Sequence, residues 1–450
     1  MQNTKFLKNS LISGTLILTF TGVLSRIIGF FYRIFLSRTI GAEGLGIYQL
    51  IFPVFSLLIS VSAAGIQTAI SRYCAQCETD TQARRYLTAG LVLSLSLSLL
   101  CMYTVHQNAE FIALHILAEE RCISLLRIMS WALPFACTHA CINGYYYGKK
   151  KTAIPAISQL LEQLVRVGGV YLIADICLEQ NAELTAKAAV WGLLIGEVAS
   201  SLYSVTMVRL HKSPKIASVR SGTVRKSVSG QHPVFRNLLK LSIPLTLNRI
   251  LLSFFQSAEA LLIPLRLRTF GYSDSDALCV YGILTGMVFS TIMFPAVLSN
   301  SLSVMLLPAV SEACASNRND LVRKAVRRTV ESCTILGLIC TLGFLTTGNW
   351  IGTHLFHNTL AGIYIRTLCW ICPFVFLSST LNSILHGLGK ATTTLLINLS
   401  GSLLRIVFLY FGIPVIGLKA YLWGMLASQI LTACSAWLCI RRGAAGKPGL

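Results

Sequence analysis

Long apolar stretches recur along the whole chain, separated by short polar segments. They fall near residues 11–36, 47–70, 87–105, 122–147, 153–177 and 186–208, then near 238–263, 279–307, 329–348, 363–386, 392–414 and 420–440. Each runs to about 20 residues, the length a helix needs to cross a bilayer at a rise of about 1.5 Å per residue. The pattern predicts an all-α integral membrane protein with twelve transmembrane helices. Pro295 lies inside the long eighth stretch and is expected to bend it.

The polar segments carry orientation. With the N-terminus inside, the cytoplasmic loops hold Lys5 and Lys8, then Arg72, Arg84 and Arg85, then Lys149, Lys150 and Lys151. Later come Arg318, Arg323, Lys324, Arg327 and Arg328, then Lys390, and finally Arg441, Arg442 and Lys447. The opposite loops hold fewer cations and carry Glu110, Glu119, Glu120, Glu179, Glu183, Asp274 and Asp276. Cationic loops stay on the cytoplasmic side, so the expectation is a multi-pass cell-membrane protein with both termini cytoplasmic.

The chain also repeats itself. Arg127, Trp131, Pro134, Phe135, Asn143, Gly148, Lys151, Leu160, Leu164, Arg166 and Tyr171 recur 239 positions later. Their counterparts are Arg366, Trp370, Pro373, Phe374, Asn382, Gly387, Lys390, Leu399, Leu403, Arg405 and Tyr410. Phe52-Pro53 is answered by Phe294-Pro295. Six spans per half bring both halves in from the same side, which makes the repeats parallel, around a pseudo-two-fold axis along the membrane normal. The expected layout is a six-helix lobe at 1–208, a linker at 209–236 and a second six-helix lobe at 237–450, enclosing a central cavity.

Composition agrees. Hydrophobic residues are 54% of the 450, charged residues only 12%, and the mean hydropathy is +0.67, against about 25% charged in soluble domains. The net charge of +21 would point to nucleic acid in a soluble protein. Here the excess sits in short loops, so no nucleic-acid partner is expected. The linker contains Arg209, Lys212, Lys215, Arg220, Arg225, Lys226 and Arg236 without one acid. It reads as a tether that also meets anionic membrane lipids.

The 15 cysteines, the Cys74/Cys77 and Cys369/Cys372 pairs included, lack zinc-site company and read as small apolar fillers. No metal site and no catalytic constellation is expected, hence no enzyme and no cofactor beyond an unidentified coupling Na+ or H+. The first apolar stretch is long and interrupted by Arg26, which argues against a cleavable signal peptide. Tyr145, Tyr146 and Tyr147 read as an interfacial aromatic belt. Gly22, Gly29, Gly168, Gly169, Gly192 and Gly196 read as helix-packing contacts.

Charges inside the spans are the informative exceptions, since a buried arginine costs about 2.5–3.5 kcal/mol on insertion scales. Arg26, Arg166, Arg249 and Arg405 are the candidate substrate-binding residues. Glu162, Glu197 and Glu259 are the candidate coupling acids. Arg127, Arg366 and Arg33 can snorkel to headgroups. Glu162 stands four residues before Arg166, so a neutralising pair competes with ligand binding there. Arg26, Arg249 and Arg405 have no nearby carboxylate in sequence and are expected to face water. Guanidinium forks suit phosphate oxygens, so the spans point to a phosphate-bearing substrate.

The run Ser25-Arg26-Ile27-Ile28-Gly29-Phe30-Phe31-Tyr32-Arg33 resembles the stage V sporulation protein B family. So do residues 41–50 (Gly41-Ala42-Glu43-Gly44-Leu45-Gly46-Ile47-Tyr48-Gln49-Leu50) and Ala69-Ile70-Ser71-Arg72. Ser301-Leu302-Ser303 and residues 307–313 add to the likeness. That family is a branch of the polysaccharide and lipid-linked oligosaccharide flippases, related to lipid II flippases and to multidrug and toxin extruders. The resemblance implies alternating-access translocation of an undecaprenyl-pyrophosphate-linked saccharide, lipid II included, for cell-wall or spore-cortex peptidoglycan. Arg26 matches the first-helix arginine of lipid II flippases. The implied partners are the lipid-linked saccharide and wall-synthesis enzymes. Unlike better-known relatives, this sequence has no arginine in its second span and twelve spans where many have two more. The alternatives are a drug or small-molecule exporter of the same fold and a non-transporting scaffold for wall synthesis.

Overall fold

The computed structural model describes residues 2–77, 79–180, 184–210, 231–297, 299 and 319–445. Among the described residues every regular element is helical. Twelve long helices follow the twelve predicted stretches. The first six are α1 (Gln2–Thr39), α2 (Gly41–Gln76), α3 (Asp80–Gln107), α4 (Cys122–Gly148), α5 (Ala153–Glu179) and α6 (Ala186–Leu210). The second six are α7 (Gln231–Phe270), α8 (Asp274–Ile292), α9 (Asn319–Trp350), α10 (Thr359–Gly387), α11 (Ala391–Ile416) and α12 (Leu418–Ala445). Eleven are long and apolar enough to cross a membrane. α5 is as long as its neighbours, but Glu162, Arg166 and Asp175 dilute its apolar run.

Helix starts follow ordinary capping chemistry. The side chains of Thr79, Ser273 and Asn358 accept hydrogen bonds from the backbone N–H groups of Gln82, Asp276 and Ala361. These satisfy donors left open in the first turns of α3, α8 and α10. Prolines mark the breaks. α2 is interrupted at Ile51, with Pro53 in the first turn of the following segment. α8 ends at Ile292, and a turn runs over Met293, Phe294 and Pro295, the bend expected there. Phe52-Pro53 and Phe294-Pro295 therefore interrupt matched helices. Pro134 lies inside continuous α4, whereas Pro373 follows a tight turn at Cys369–Ile371.

The duplication extends to backbone detail. Wider π-type turns occupy Ile112–Leu117 and Ile351–Leu355. Ala118 and His357 follow them in left-handed conformation, at φ 51° and 52°. Lys150 (φ 58°) and Gly389 (φ 75°) are a second left-handed pair, also 239 positions apart. Left-handed backbone is unfavourable for alanine, lysine and histidine, so its recurrence reflects a shared loop geometry rather than local preference. A further echo pairs Arg38-Thr39-Ile40-Gly41 with Arg268-Thr269-Phe270-Gly271. Both glycines have positive φ, 70° and 113°.

By mutual contact the chain forms two compact units. Unit 1 comprises Met1–Ser25 and Ile51–Phe254, and unit 2 comprises Arg26–Leu50 and Phe255–Leu450. Close approaches at glycine explain why segments 26–50 and 231–254 sit where they do. Within unit 2, a Cβ on Gly46 would lie 2.2 Å from the Leu278 carbonyl oxygen of α8. Within unit 1, a Cβ on Gly65 would lie 2.7 Å from the Ser242 carbonyl oxygen of α7. Residues 211–230 of the linker and the 301–313 motifs lie outside the described residues, while the flanking Arg209 and Arg236 are exposed.

The core of unit 1 gathers Ile66, Ile70, Cys74, Leu87, Cys141, Tyr145, Tyr146 and Leu238, among others. Leu381, Ile384, Leu385, Ile397, Ala436 and Ile440 cluster in unit 2. Two sequence expectations change here. Tyr145 and Tyr146 are core residues at 4% and 2% exposure, so only Tyr147 suits an interfacial belt. Among the described residues nothing lies within 4 Å of where a Cβ on Gly22 or Gly168 would sit, so these glycines do not mark close helix contacts there. Cys74, Cys141, Cys333 and Cys369 are buried free thiols, and burial pushes the thiol of Cys77, just past α2, upward. The duplicated Trp131 and Trp370 are exposed at 51% and 53%, as residues facing lipid chains are.

Candidate functional site: ion-pair clusters within each unit

In unit 1 the site begins with two glycines. A Cβ on Gly192 would lie 2.2 Å from Val170 Cγ2, and one on Gly196 would lie 2.8 Å from the Glu162 carbonyl oxygen. Without side chains at these positions α6 closes onto α5. Ser158 reinforces the seam with contacts of 2.7 Å to Ser200 and 3.1 Å to Ser204. The next residue after Gly196 is Glu197, which this approach brings against the charges of α5.

There Arg166 is ion-paired to Glu162, one turn earlier on the same helix, and its Nη2 stands 3.6 Å from Glu197 Oε1. From α4, His139 places Nδ1 3.2 Å from Glu197 Oε2. One nitrogen or oxygen from each of His139, Glu162 and Glu197 lies within 4.8 Å of the others. The Arg166 guanidinium takes the cation's position beside both carboxylates, so the geometry is that of an ion-pair cluster rather than an open metal cage. Glu197 is 5% exposed.

Unit 2 solves the same problem differently. Gly401 occupies the position matched to Glu162, so α11 offers Arg405 no acid of its own. Glu259 of α7 supplies one. Arg405 Nε donates to both Glu259 oxygens at 2.9 Å, and Tyr421 of α12 donates to Glu259 Oε1 at 2.8 Å. The remaining guanidinium nitrogens reach Ser428 at 3.4 Å and Ser402 at 3.2 Å. One carboxylate meets one guanidinium, and every charged group has partners.

The structure thus joins Arg166 to Glu162 and Glu197, and Arg405 to Glu259. Arg26 and Arg249 are exposed residues. The expectation that Arg405 is unpaired and faces water is corrected: its carboxylate partner, Glu259, lies 146 residues away in sequence, where no helical spacing connects the two. Three further residues were missed. His139 carried no signal beyond being one polar ring in an apolar span. Asp80 at the start of α3 gathers Arg84 at 3.0 Å, the Tyr145 hydroxyl at 3.0 Å and the Lys149 ammonium. Arg38 donates to the carbonyls of Leu355 and His354 at 2.8 and 2.6 Å, capping the π-type turn that follows α9.

Residues 11–314 match the polysaccharide biosynthesis protein family. The chain belongs to that family. Residues 244–411 also match the MatE family. Among relatives, stage V sporulation protein B of Bacillus subtilis (strain 168) is 25% identical over 429 residues, covering 94% of this chain and 82% of the relative. Lipid II flippase MurJ of the same organism is 21% identical over 449 residues, covering 94% and 80%. Among solved structures, an inward-facing multidrug resistance MATE family transporter of the MOP superfamily matches with a TM-score of 0.72. It is 14% identical, covering 93% of this chain and 94% of its own. Lipid II flippase MurJ in an inward closed conformation matches with a TM-score of 0.71, at 14% identity, covering 95% and 87%. This family member is therefore a multi-pass membrane protein with the fold of these MATE and MurJ structures.

Proposed function

We propose that the chain is a flippase for a polyprenyl-pyrophosphate-linked saccharide, working by alternating access with both termini in the cytoplasm. The observation that carries this reading is whole-chain similarity to stage V sporulation protein B and to a lipid II flippase, each spanning 94% of the sequence. The arginine excess within the spans supports a substrate bearing phosphates. Arg26 and Arg249, whose residues are exposed, are assigned to the pyrophosphate. Arg166 and Arg405, already paired with acids, hold their helices together. Wall- or cortex-peptidoglycan synthesis is the process such a substrate serves. Anionic lipids near the basic linker and wall-synthesis enzymes are the partners that fit.

The test is translocation of labelled lipid II by the purified protein in liposomes. Arg26→Ala and Arg249→Ala are expected to lower the rate at least tenfold with normal insertion. Unchanged rates in both would remove these residues from the mechanism, and no translocation by the unmodified chain would sink the substrate.

A drug-exporter reading has its own support in the MatE match and in the buried acids of each unit. It predicts transport of organic cations by the same liposomes, with Glu197 and Glu259 more important than Arg26.

A further inference from the structure

The two ion-pair clusters differ in charge balance. In unit 2 Glu259 and Arg405 cancel. In unit 1 two carboxylates, Glu162 and Glu197, share one guanidinium, Arg166, and the fourth member is the imidazole of His139. With a neutral imidazole the group keeps one negative charge, and burying an uncompensated charge is costly. With one added proton it is neutral.

The geometry shows where that proton belongs. Glu197 is 95% buried, and among the described residues its Oε2 finds no aligned hydrogen-bond donor, although His139 Nδ1 stands 3.2 Å away. Nδ1 is likewise buried and makes no hydrogen bond. Two groups that suit each other chemically face each other at bonding distance without the alignment of a made bond. The other charged groups facing His139 are Glu162 and Arg166 of α5. Cys137 of α4 is within electrostatic reach of Glu197 and of Cys101 of α3.

We propose that His139 and Glu197 form an exchangeable proton site, with Glu162 and Arg166 completing it. An imidazole favours this occupant over an alkali ion, because it is an ordinary proton acceptor near neutral pH whereas hard cations take oxygen donors. When the proton leaves, Glu197 competes with Glu162 for Arg166. When it returns, Arg166 is left to Glu162 alone. Proton occupancy thereby sets the hold of α6 on α5. The purpose of such a site, coupling of transport to protons, rests on the transporter reading; its existence does not.

The experiment is a pH titration by NMR of the full chain, carrying isotope-labelled histidine, in lipid nanodiscs. His139→Gln assigns the signal among the eight histidines. His139 is expected to change protonation in one step between about pH 5 and 9. Glu197→Gln should lower the midpoint by at least one pH unit, roughly tenfold weaker proton binding, while Glu259→Gln leaves it unmoved. A His139 signal that stays in one form across the range, or a midpoint indifferent to Glu197→Gln, overturns the proposal. So does a midpoint that moves by a pH unit when sodium chloride replaces choline chloride at constant ionic strength, since an alkali ion would then own the site. A flipping assay under an imposed pH gradient accompanies it. Normal titration with no lipid II movement would discard the substrate and leave the proton site standing.

Discussion

Arg405 reaches 146 residues back along the chain to place its Nε 2.9 Å from both carboxylate oxygens of Glu259. The pair is mostly buried, at 14% and 11% side-chain exposure, and Tyr421, Ser402 and Ser428 complete its hydrogen bonds. Removing one partner from such a pair strands the other charge away from water. Glu259→Ala is expected to destabilise the protein by about 3–5 kcal/mol, measured as loss of thermal stability in detergent. The double variant Glu259→Ala/Arg405→Leu should recover most of that loss. If the double variant is as unstable as the single one, the pair is not what the acid stabilises.

The glycines of α5 and α6 offer a matched comparison. At Gly196 a Cβ would meet the Glu162 carbonyl oxygen at 2.8 Å, and at Gly168 it would meet nothing within 4 Å. Gly196→Ala should force the helices apart, with a loss of about 1–3 kcal/mol, and move Glu197 away from Arg166. Gly168→Ala should be neutral or gain about 0.5–1 kcal/mol from its higher helix propensity. Thermal melts of the two variants side by side check the difference. Equal melting temperatures would mean that the α5–α6 approach is not set at Gly196.

What could be foreseen from sequence divides along a physical line. Among the described residues twelve long helices follow the twelve apolar stretches, because hydropathy is summed over about 20 residues and tolerates exceptions. The pairing of Glu162 with Arg166 was legible because partners one turn apart share a helix face. Glu259 with Arg405, and His139 with Glu197, join residues on different helices, and no spacing rule connects them. The same limit misplaced Gly168 and Tyr146. Gly168 has the same neighbourhood in sequence as a packing glycine, and Tyr146 reads as a belt residue until α4 is seen to turn it into the core.

Gly46 and Gly282 form another tight pair, within unit 2. A Cβ on Gly282 would fall 2.1 Å from the Ala42 carbonyl oxygen and 2.6 Å from the Gly46 backbone nitrogen. Both neighbours are backbone and cannot swing aside. Gly282→Ala and Gly46→Ala should each cost more than the usual glycine-to-alanine exchange, about 1–3 kcal/mol, through overpacking. Cysteine crosslinking between neighbouring positions of α2 and α8 should fall in these variants. Unchanged crosslinking with unchanged melting would show that the approach relaxes without cost.

Asp80 is the last case, and its solvent exposure decides the magnitude. Its carboxylate accepts from Arg84 and Tyr145 and pairs with Lys149, tying the start of α3 to the end of α4. The Asp80 side chain is 27% exposed, Arg84 30% and Lys149 23%, so water screens each pair and none should be worth more than about 1 kcal/mol. Three partners on one carboxylate nonetheless act together. Asp80→Asn keeps the shape and hydrogen-bonding reach but removes the charge, and should lower stability by about 1–2 kcal/mol. The loss should shrink in about 1 M salt, because the parent protein loses the same attraction by screening. A loss that persists undiminished at high salt would assign the role of Asp80 to its hydrogen bond with Tyr145 rather than to its charge.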